Sequence, residues 1–202
     1  MGKREICIVV LLYSLIGVGL AGHGLSWFRL HPPIEVVDPD PDPELEPEPV
    51  HIRDELVDVF RSQIGIRQTG NNTGPEIDMY LAAVGLDPGY AWCGAFAGWG
   101  YLELNLCIPN GAAWTPSWFP ESNTIPAVEA LRGDVGGIYF QSLKRIAHIV
   151  VFEQDWNNAG NMITTIEGNT NDTGSRTGDG VYRKYRMKGQ IYRTANWVDA
   201  DC

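Results

Sequence analysis

Residues 31–49 have the sequence HPPIEVVDPDPDPELEPEP, and this stretch restricts the fold of the chain more than any other feature. Proline lacks a backbone donor and has a fixed φ angle, and the acidic side chains between the prolines repel one another. The segment therefore cannot form a helix or a sheet, and we predict an extended acidic linker. It separates an apolar N-terminal segment from a folded domain, which we place at residues 50–202.

Residues 1–30 have the pattern of an export segment. Lys3 and Arg4 precede an apolar run over residues 6–28, and such a basic start stays on the cytoplasmic side. Two outcomes are open: cleavage near Gly19-Leu20-Ala21 as a signal peptide, or retention as a membrane anchor of about 20 residues. Both predict export of the domain to the periplasm or the exterior, with membrane contact only through this segment. A buried core helix is the weaker alternative, because the linker follows at once.

The charge is distributed unevenly along the chain. The formal net charge is -10, and residues 35–48 contain seven acids with no base between them. Phosphate binding needs clustered Lys and Arg, so nucleic acid is excluded as the main partner. The rest of the chain is closer to neutral and predicts no charge preference for a substrate.

The four cysteines do not form a metal motif. Cys7, Cys93, Cys107 and Cys202 include no C-x-x-C pair and are too few for a disulfide scaffold. We therefore predict no zinc site, no other metal and no cofactor. Cys107 and Cys202 can pair in an oxidising compartment, but their spacing does not show that they are close.

The first half of the domain is predicted to be helical. Apolar residues recur at helical spacing over residues 52–64, and Gly65 is placed to end that helix. Pro75 begins a second helix, over residues 75–84. An apolar stretch at residues 93–106 lacks strand alternation and is predicted to be the buried central helix.

The second half is predicted to form strands. A loop at residues 114–126 comes first. The predicted strands cover residues 135–140, 146–152, 162–166, 181–187 and 191–197. Helices followed by strands are typical of an α+β domain, in which a helical layer packs on an antiparallel sheet.

Cys93 is the candidate nucleophile. It follows a turn and begins the central helix, where backbone N–H groups and the helix dipole stabilise a thiolate. Gly94 and Ala95 are small and leave space for a substrate backbone. The alternative is that Cys93 is a small buried apolar residue, as most free cysteines are.

His148 is the candidate base. Strand alternation places it on one face with Ile146, Val150 and Phe152, where an imidazole needs a hydrogen-bonding partner. A thiol on the central helix is one such partner, and the pair then forms thiolate and imidazolium. A core histidine bonded to a carbonyl is the alternative. His51 is the only other histidine of the domain and lies at its start.

A third group is expected to orient the imidazole. The strand over residues 162–166 leads into a polar turn that contains Glu167 and Asn169. If that strand neighbours the strand with His148, either side chain can accept the far N–H of the ring, as the third member of a triad does. An ordinary surface turn is the alternative.

A set of short motifs resembles the CHAP-type cysteine amidases and peptidases of the papain-like (NlpC/P60) superfamily, over roughly residues 52–198. They are Gly70-Asn71-Asn72, Pro75-Glu76-Ile77, the string from Tyr90 to Trp99, Gly133-Asp134-Val135, Ala147-His148-Ile149-Val150-Val151 and the string from Ile166 to Asn171. The order Cys, His, Glu/Asn is also that of the family.

The resemblance implies a peptidoglycan hydrolase with a papain-like fold. Cys93 would attack an amide bond with His148 as base, Glu167 would orient the ring, and Asn169 would assist Glu167 or the oxyanion. The activity would be that of an N-acetylmuramoyl-L-alanine amidase or an endopeptidase; the alternative is an inactive cell-wall-binding module of the same fold. Trp92 stands where many members have Gln, so the oxyanion donors would be the Cys93 N–H and another side chain.

Aromatic residues near Cys93 are candidates for substrate binding. Trp92, Trp114 and Trp118 could line a groove for glycan or stem peptide, and Trp114 and Trp118 lie in the predicted loop. Packing in the core is the alternative for each of them.

Overall fold

The computed structural model describes residues 51–172 and 178–202. The predicted export segment and the linker lie outside the described residues. Within the two described ranges, no helix is both long enough and apolar enough to cross a bilayer.

The three predicted helices are confirmed. Helix α1 covers Ile52–Ser62, α2 covers Pro75–Ala83 and α3 covers Cys93–Glu103. The ring of Pro75 occupies the first turn of α2, where its missing N–H would have had no helical partner. Every residue of α3 up to Tyr101 is buried, and a helix that is apolar on all sides lies inside the core.

The second half of the domain forms a single six-stranded sheet. Its strands are β1 (Thr124–Ile125), β2 (Val135–Phe140), β3 (Arg145–Phe152), β4 (Met162–Thr170), β5 (Gly180–Met187) and β6 (Arg193–Ala195). Their order is β1-β6-β2-β3-β4-β5, and all neighbours are antiparallel. The predicted α+β class is confirmed.

Helix α3 packs on β3 and β4 through an aromatic core. Phe96 of α3 lies with its ring centroid 5.2 Å from that of Phe60 of α1 and 5.2 Å from that of Tyr80 of α2. Both pairs meet edge to face, the arrangement that aromatic rings favour. The three helices therefore share one core, and that core fixes α3 over the middle of the sheet.

The observed bounds of several elements differ from the predicted ones: β6 covers Arg193–Ala195 instead of residues 191–197, and α3 ends at Glu103 instead of residue 106. The predicted loop at residues 114–126 contains a 3-10 turn at Thr115–Trp118 and the strand β1, which at two residues is too short to show alternation. Strand β4 runs to Thr170 instead of ending at Ile166. Glu167 and Asn169 resemble turn residues in type, but both are buried within the strand.

The expected alternation along β3 is interrupted beside His148. His148 pairs with Ile138 of β2, whereas Ile146 pairs with Tyr139, so the register shifts at this point. Consecutive residues of β2 point to opposite faces, and Ile146 therefore does not share the face of His148, contrary to the prediction. An irregularity of this kind redirects side chains and is frequent next to active sites.

A disulfide joins Cys107, which follows α3, to Cys202 near the C-terminus. The Cα atoms are 5.3 Å apart and the residues are separated by 95 positions, so the pairing considered from the sequence is present. Cys93 is a free thiol.

Candidate active site

Cys93 occupies the first position of α3 and is buried except at one side. Its relative exposure is 6%, and it forms part of the wall of a cleft. The first hydrogen bond of α3 runs from the Phe96 N–H to the Trp92 carbonyl, so the N–H groups before Phe96 are not used by the helix. The N–H groups of the first turn of α3 are therefore available to the Cys93 sulfur or to a bound substrate.

The surroundings of Cys93 favour its thiolate. Burial acts to raise the pKa of the thiol, but the adjacent His148 and the backbone N–H groups of Ile149 and Gly94 outweigh it and hold that pKa below its ordinary value. Cys93 and His148 are thus near enough to shift each other's pKa, in agreement with the predicted proximity.

His148 is buried in β3 between a sulfur and a carboxylate. Its Nε2 lies 2.9 Å from Oε2 of Glu167. Burial acts to lower the pKa of His148, but the interactions with Cys93 and Glu167 raise it to about 9. The imidazole is therefore protonated at neutral pH, opposite a thiolate.

The two ring nitrogens of His148 have different partners. The ionised Glu167 carboxylate has no hydrogen to give, so Nε2–H donates to it. Nδ1 is buried and has no hydrogen-bonding partner among the described residues. This leaves Nδ1 as the nitrogen that can exchange a proton with the Cys93 sulfur. Hydrogen bonds between such groups are often long until the substrate binds.

Glu167 is completely buried and fully hydrogen-bonded. Arg186 of β5 holds it with two bonds, from Nε to Oε1 at 2.8 Å and from Nη2 to Oε2 at 2.5 Å. The Thr165 hydroxyl donates to Oε1 at 2.6 Å. Burial acts to raise the pKa of Glu167, but Arg186 and His148 lower it to about 2. Glu167 is thus a permanent anion behind the imidazole.

Sequence reasoning missed Arg186. Strand β5 alternates between apolar and basic residues, and Arg183, Lys184 and Arg186 are all basic. Only Arg186 of these three is buried. The signal that would have identified it is the need of a buried glutamate for a cation on the neighbouring strand.

Asn169 does not orient the ring. It is buried with a φ of 55°, and its Oδ1 accepts a hydrogen bond from the Gly178 N–H at 3.3 Å. Its Nδ2 has no partner among the described residues. Of the two expected candidates, Glu167 is the one that contacts His148.

Two of the three tryptophans expected to bind substrate are core residues. Trp92 and Trp118 are fully buried; the Trp118 indole donates to the Ala112 carbonyl at 2.7 Å, and the Trp92 indole to Oε1 of Gln68 at 3.4 Å. Nearness to Cys93 in the sequence does not determine where a side chain points, and both indoles find partners inside. Trp114 is 52% exposed and lies in the cleft wall.

The cleft in front of Cys93 has a volume of about 270 Å³. Its other lining residues include Leu86, Tyr90, Ala91, Trp114, Arg145 and Ala147. The wall is largely apolar, with one cationic side chain. A thiolate in the wall of such a cleft can reach the carbonyl carbon of a substrate that binds there.

The described residues contain no group of three His, Cys, Asp or Glu side chains arranged to hold a metal ion. Cys93, His148 and Glu167 follow one another as thiol, imidazole and carboxylate, and an arrangement of this kind can transfer acyl groups through a covalent intermediate.

Comparisons of the chain with protein-family models, with curated proteins and with solved structures find no match.

Proposed function

We propose that residues 50–202 form a cysteine hydrolase that cleaves amide bonds of bacterial peptidoglycan, as an N-acetylmuramoyl-L-alanine amidase or an endopeptidase. Cys93 is the nucleophile, His148 is the acid and base, and Glu167 orients His148. One observation carries the proposal: a lone thiol at the start of a buried helix lies beside an imidazole whose far nitrogen is held by a buried carboxylate.

The first half of the reaction forms a thioester. The Cys93 thiolate attacks the carbonyl carbon, and the new C–S bond leaves a negative charge on the carbonyl oxygen. The free Cys93 N–H at the start of α3 is the donor best placed to stabilise that oxygen. The His148 imidazolium gives its proton to the amide nitrogen, the C–N bond breaks, and the amine leaves.

The second half restores the enzyme. The neutral His148 takes a proton from a water molecule, and the water oxygen attacks the thioester carbon. The C–S bond breaks, and a carboxylic acid, a thiolate and an imidazolium result. Glu167 keeps its charge in both halves and stabilises each imidazolium that forms.

The papain-like family and the peptidoglycan substrate are supported by different observations. The motifs around Cys93, His148 and Glu167 resemble the CHAP family, whose order Cys, His, Glu they share. An export segment would deliver the domain to the cell wall. The Cys107–Cys202 disulfide supports the same location, because disulfides persist in oxidising compartments and are rare in the cytosol.

Digestion of purified peptidoglycan by the full-length chain tests the proposal. Mass analysis of the soluble products is expected to show new amine and carboxyl ends, and their masses identify the bond. Cys93→Ala is expected to abolish the release, and His148→Ala to reduce it by roughly a thousandfold or more.

His51→Ala is the matched control, because it removes the other histidine of the domain. His51 accepts a hydrogen bond from the Arg53 N–H and caps α1, so this variant is expected to lose roughly 1 kcal/mol of stability and to keep its activity. Product release that persists in Cys93→Ala would refute the mechanism. Binding to peptidoglycan without any cleavage would instead identify an inactive cell-wall-binding module.

A further inference from the structure

Arg145 is the only charged side chain among the residues that line the cleft with Cys93. Most other arginines of the described residues are paired with carboxylates: Arg53, Arg61, Arg132, Arg183 and Arg186. Arg145 has no ion pair with any described carboxylate. A cation left unpaired in a domain with more acidic than basic residues is free to bind an anion from outside.

The position of Arg145 is fixed without an acid. Its guanidinium carbon lies 4.0 Å from the ring centroid of Trp114, within the range of a cation–π interaction. Nη1 also donates to the Ile146 carbonyl at 3.0 Å. The Thr115 hydroxyl donates to the same carbonyl at 2.9 Å, which fastens the loop with Trp114 to β3. Arg145 and Trp114 are therefore held together and form one wall of the cleft.

We infer that Arg145, held against Trp114, binds a carboxylate of the substrate beside the amide bond that Cys93 attacks. This inference rests on the proposed amide hydrolysis and narrows its substrate to peptides with a free carboxylate next to the scissile bond. A guanidinium offers parallel N–H donors that match a carboxylate in two bonds, and Arg145 has donors to spare after its bond to Ile146.

Electrostatics gives a second reason for a cation at this place. In the proposed site the Cys93 thiolate is balanced by the adjacent His148 imidazolium. Arg186 already neutralises Glu167. Arg145 therefore adds a positive charge that no acidic side chain of the cleft wall offsets, and this charge attracts an acidic peptide.

Alkylation of Cys93 tests the inference without any need for hydrolysis. Iodoacetate and iodoacetamide react in the same way: the thiolate forms a C–S bond and iodide leaves. They differ in that only iodoacetate carries a carboxylate. Both rates are measured on the full-length chain by mass analysis of the peptide that contains Cys93, which separates its reaction from that of Cys7.

Arg145→Gln is expected to lower the ratio of the iodoacetate rate to the iodoacetamide rate by about three- to tenfold, as for the loss of one nearby charge. The iodoacetamide rate should stay within about twofold, because no charge on that reagent meets Arg145. Arg145→Lys keeps the charge but loses the two parallel N–H donors of the guanidinium. Its ratio of the two rates is expected to lie between that of the wild type and that of Arg145→Gln.

Arg193→Gln is the matched control. Arg193 also lies near an aromatic ring, with its guanidinium carbon 5.9 Å from the Tyr192 centroid, but it is not part of the Cys93 cleft. The ratio should stay close to that of the wild type, because the lost charge is screened. An equal fall in Arg193→Gln, or no fall in Arg145→Gln, would overturn the inference and leave the hydrolase proposal intact. A Cys93 that reacts with neither reagent would overturn both.

Hydrolysis gives an independent readout. Two stem peptides are compared that differ only in a carboxylate or a carboxamide on the residue next to the scissile bond. Arg145→Gln is expected to lower kcat/KM by roughly tenfold or more for the carboxylate peptide, mainly through KM, and to affect the carboxamide peptide little. An equal loss with both peptides would refute carboxylate recognition.

Discussion

Cys93 and Glu167 together set the charge of the imidazole, and Glu167 acts from a position that solvent does not reach. The pKa of His148 is raised to about 9 and that of the Cys93 thiol is lowered below its ordinary value. The thiolate–imidazolium pair therefore exists at pH values between the pKa of Cys93 and the pKa of His148. We expect a bell-shaped dependence of kcat/KM on pH, with an acid limb from protonation of the Cys93 thiolate below the ordinary thiol pKa and an alkaline limb near pH 9 from loss of the His148 proton.

Glu167→Gln tests the source of the raised pKa. Glutamine can still accept the Nε2–H bond but carries no charge, so the alkaline limb is expected to move to lower pH by about one to three units. Glu153→Gln is the control, because Glu153 is also a buried acid held by arginines, Arg61 and Arg183. Both variants should lose stability, and only Glu167→Gln should move the limb. A limb that stays in place would show that Glu167 does not control the charge of His148.

At the same scale, the sequence predicted that Cys93 and His148 lie together and offered Glu167 and Asn169 as alternative partners of the ring, but it did not predict the side chains around them. Cysteine and histidine are rare in this chain, so elimination leaves few choices. Arg186 is one of several basic residues in β5, and only the position of β4 beside it distinguishes it. Trp92 and Trp118 were predicted wrongly because their direction depends on packing across the whole core.

At the scale of the element, α3 is fixed by a contact that leaves no space for a methyl group. A Cβ atom at Gly100 would lie 2.2 Å from the Phe60 ring. In an exposed helix, Gly→Ala stabilises by up to about 1 kcal/mol. Here the steric overlap with Phe60 outweighs the gain in helix propensity, and Gly100→Ala is expected to destabilise the domain by about 1–3 kcal/mol.

Urea denaturation measures that change as a lower midpoint with an unchanged slope. Gly189→Ala is the control, because a Cβ there meets no atom within 4 Å. Phe60→Leu should remove much of the additional cost of Gly100→Ala, since the two positions are in contact and are not independent. A Gly100→Ala protein as stable as the wild type would contradict the tight packing of α1 on α3.

Helix α1 was predictable because its apolar residues recur at helical spacing, and α3 was predictable because its apolar run is long and lacks strand alternation. The two-residue strand β1 gives no such pattern, and the irregularity beside His148 depends on how β2 pairs with β3. The end of β4 was missed for a different reason: its last residues are polar, and their burial becomes evident only when α3 and β5 cover them.

At the scale of the whole molecule, the Cys107–Cys202 disulfide joins the helical half to the C-terminus. The cross-linked residues are 95 positions apart, so the disulfide lowers the conformational entropy of the unfolded chain. The expected stabilisation is about 4–5 kcal/mol. Reduction is therefore expected to lower the urea midpoint clearly. Cys202→Ser should show the same lower midpoint and no further change on reduction. A midpoint that reduction does not alter would contradict a stabilising bond.

The residues of the proposed site come from distant parts of the chain: Cys93 begins the central helix, His148 and Glu167 lie on neighbouring strands, and Arg186 lies on a strand near the C-terminus. A partly synthesised chain, or one threaded unfolded through a membrane, holds the nucleophile but not the groups that activate it. Chemical competence would then arise only once the last strands have docked, after transit is complete. If the proposed hydrolase is exported as an unfolded chain, this order of folding would protect the cell that makes it.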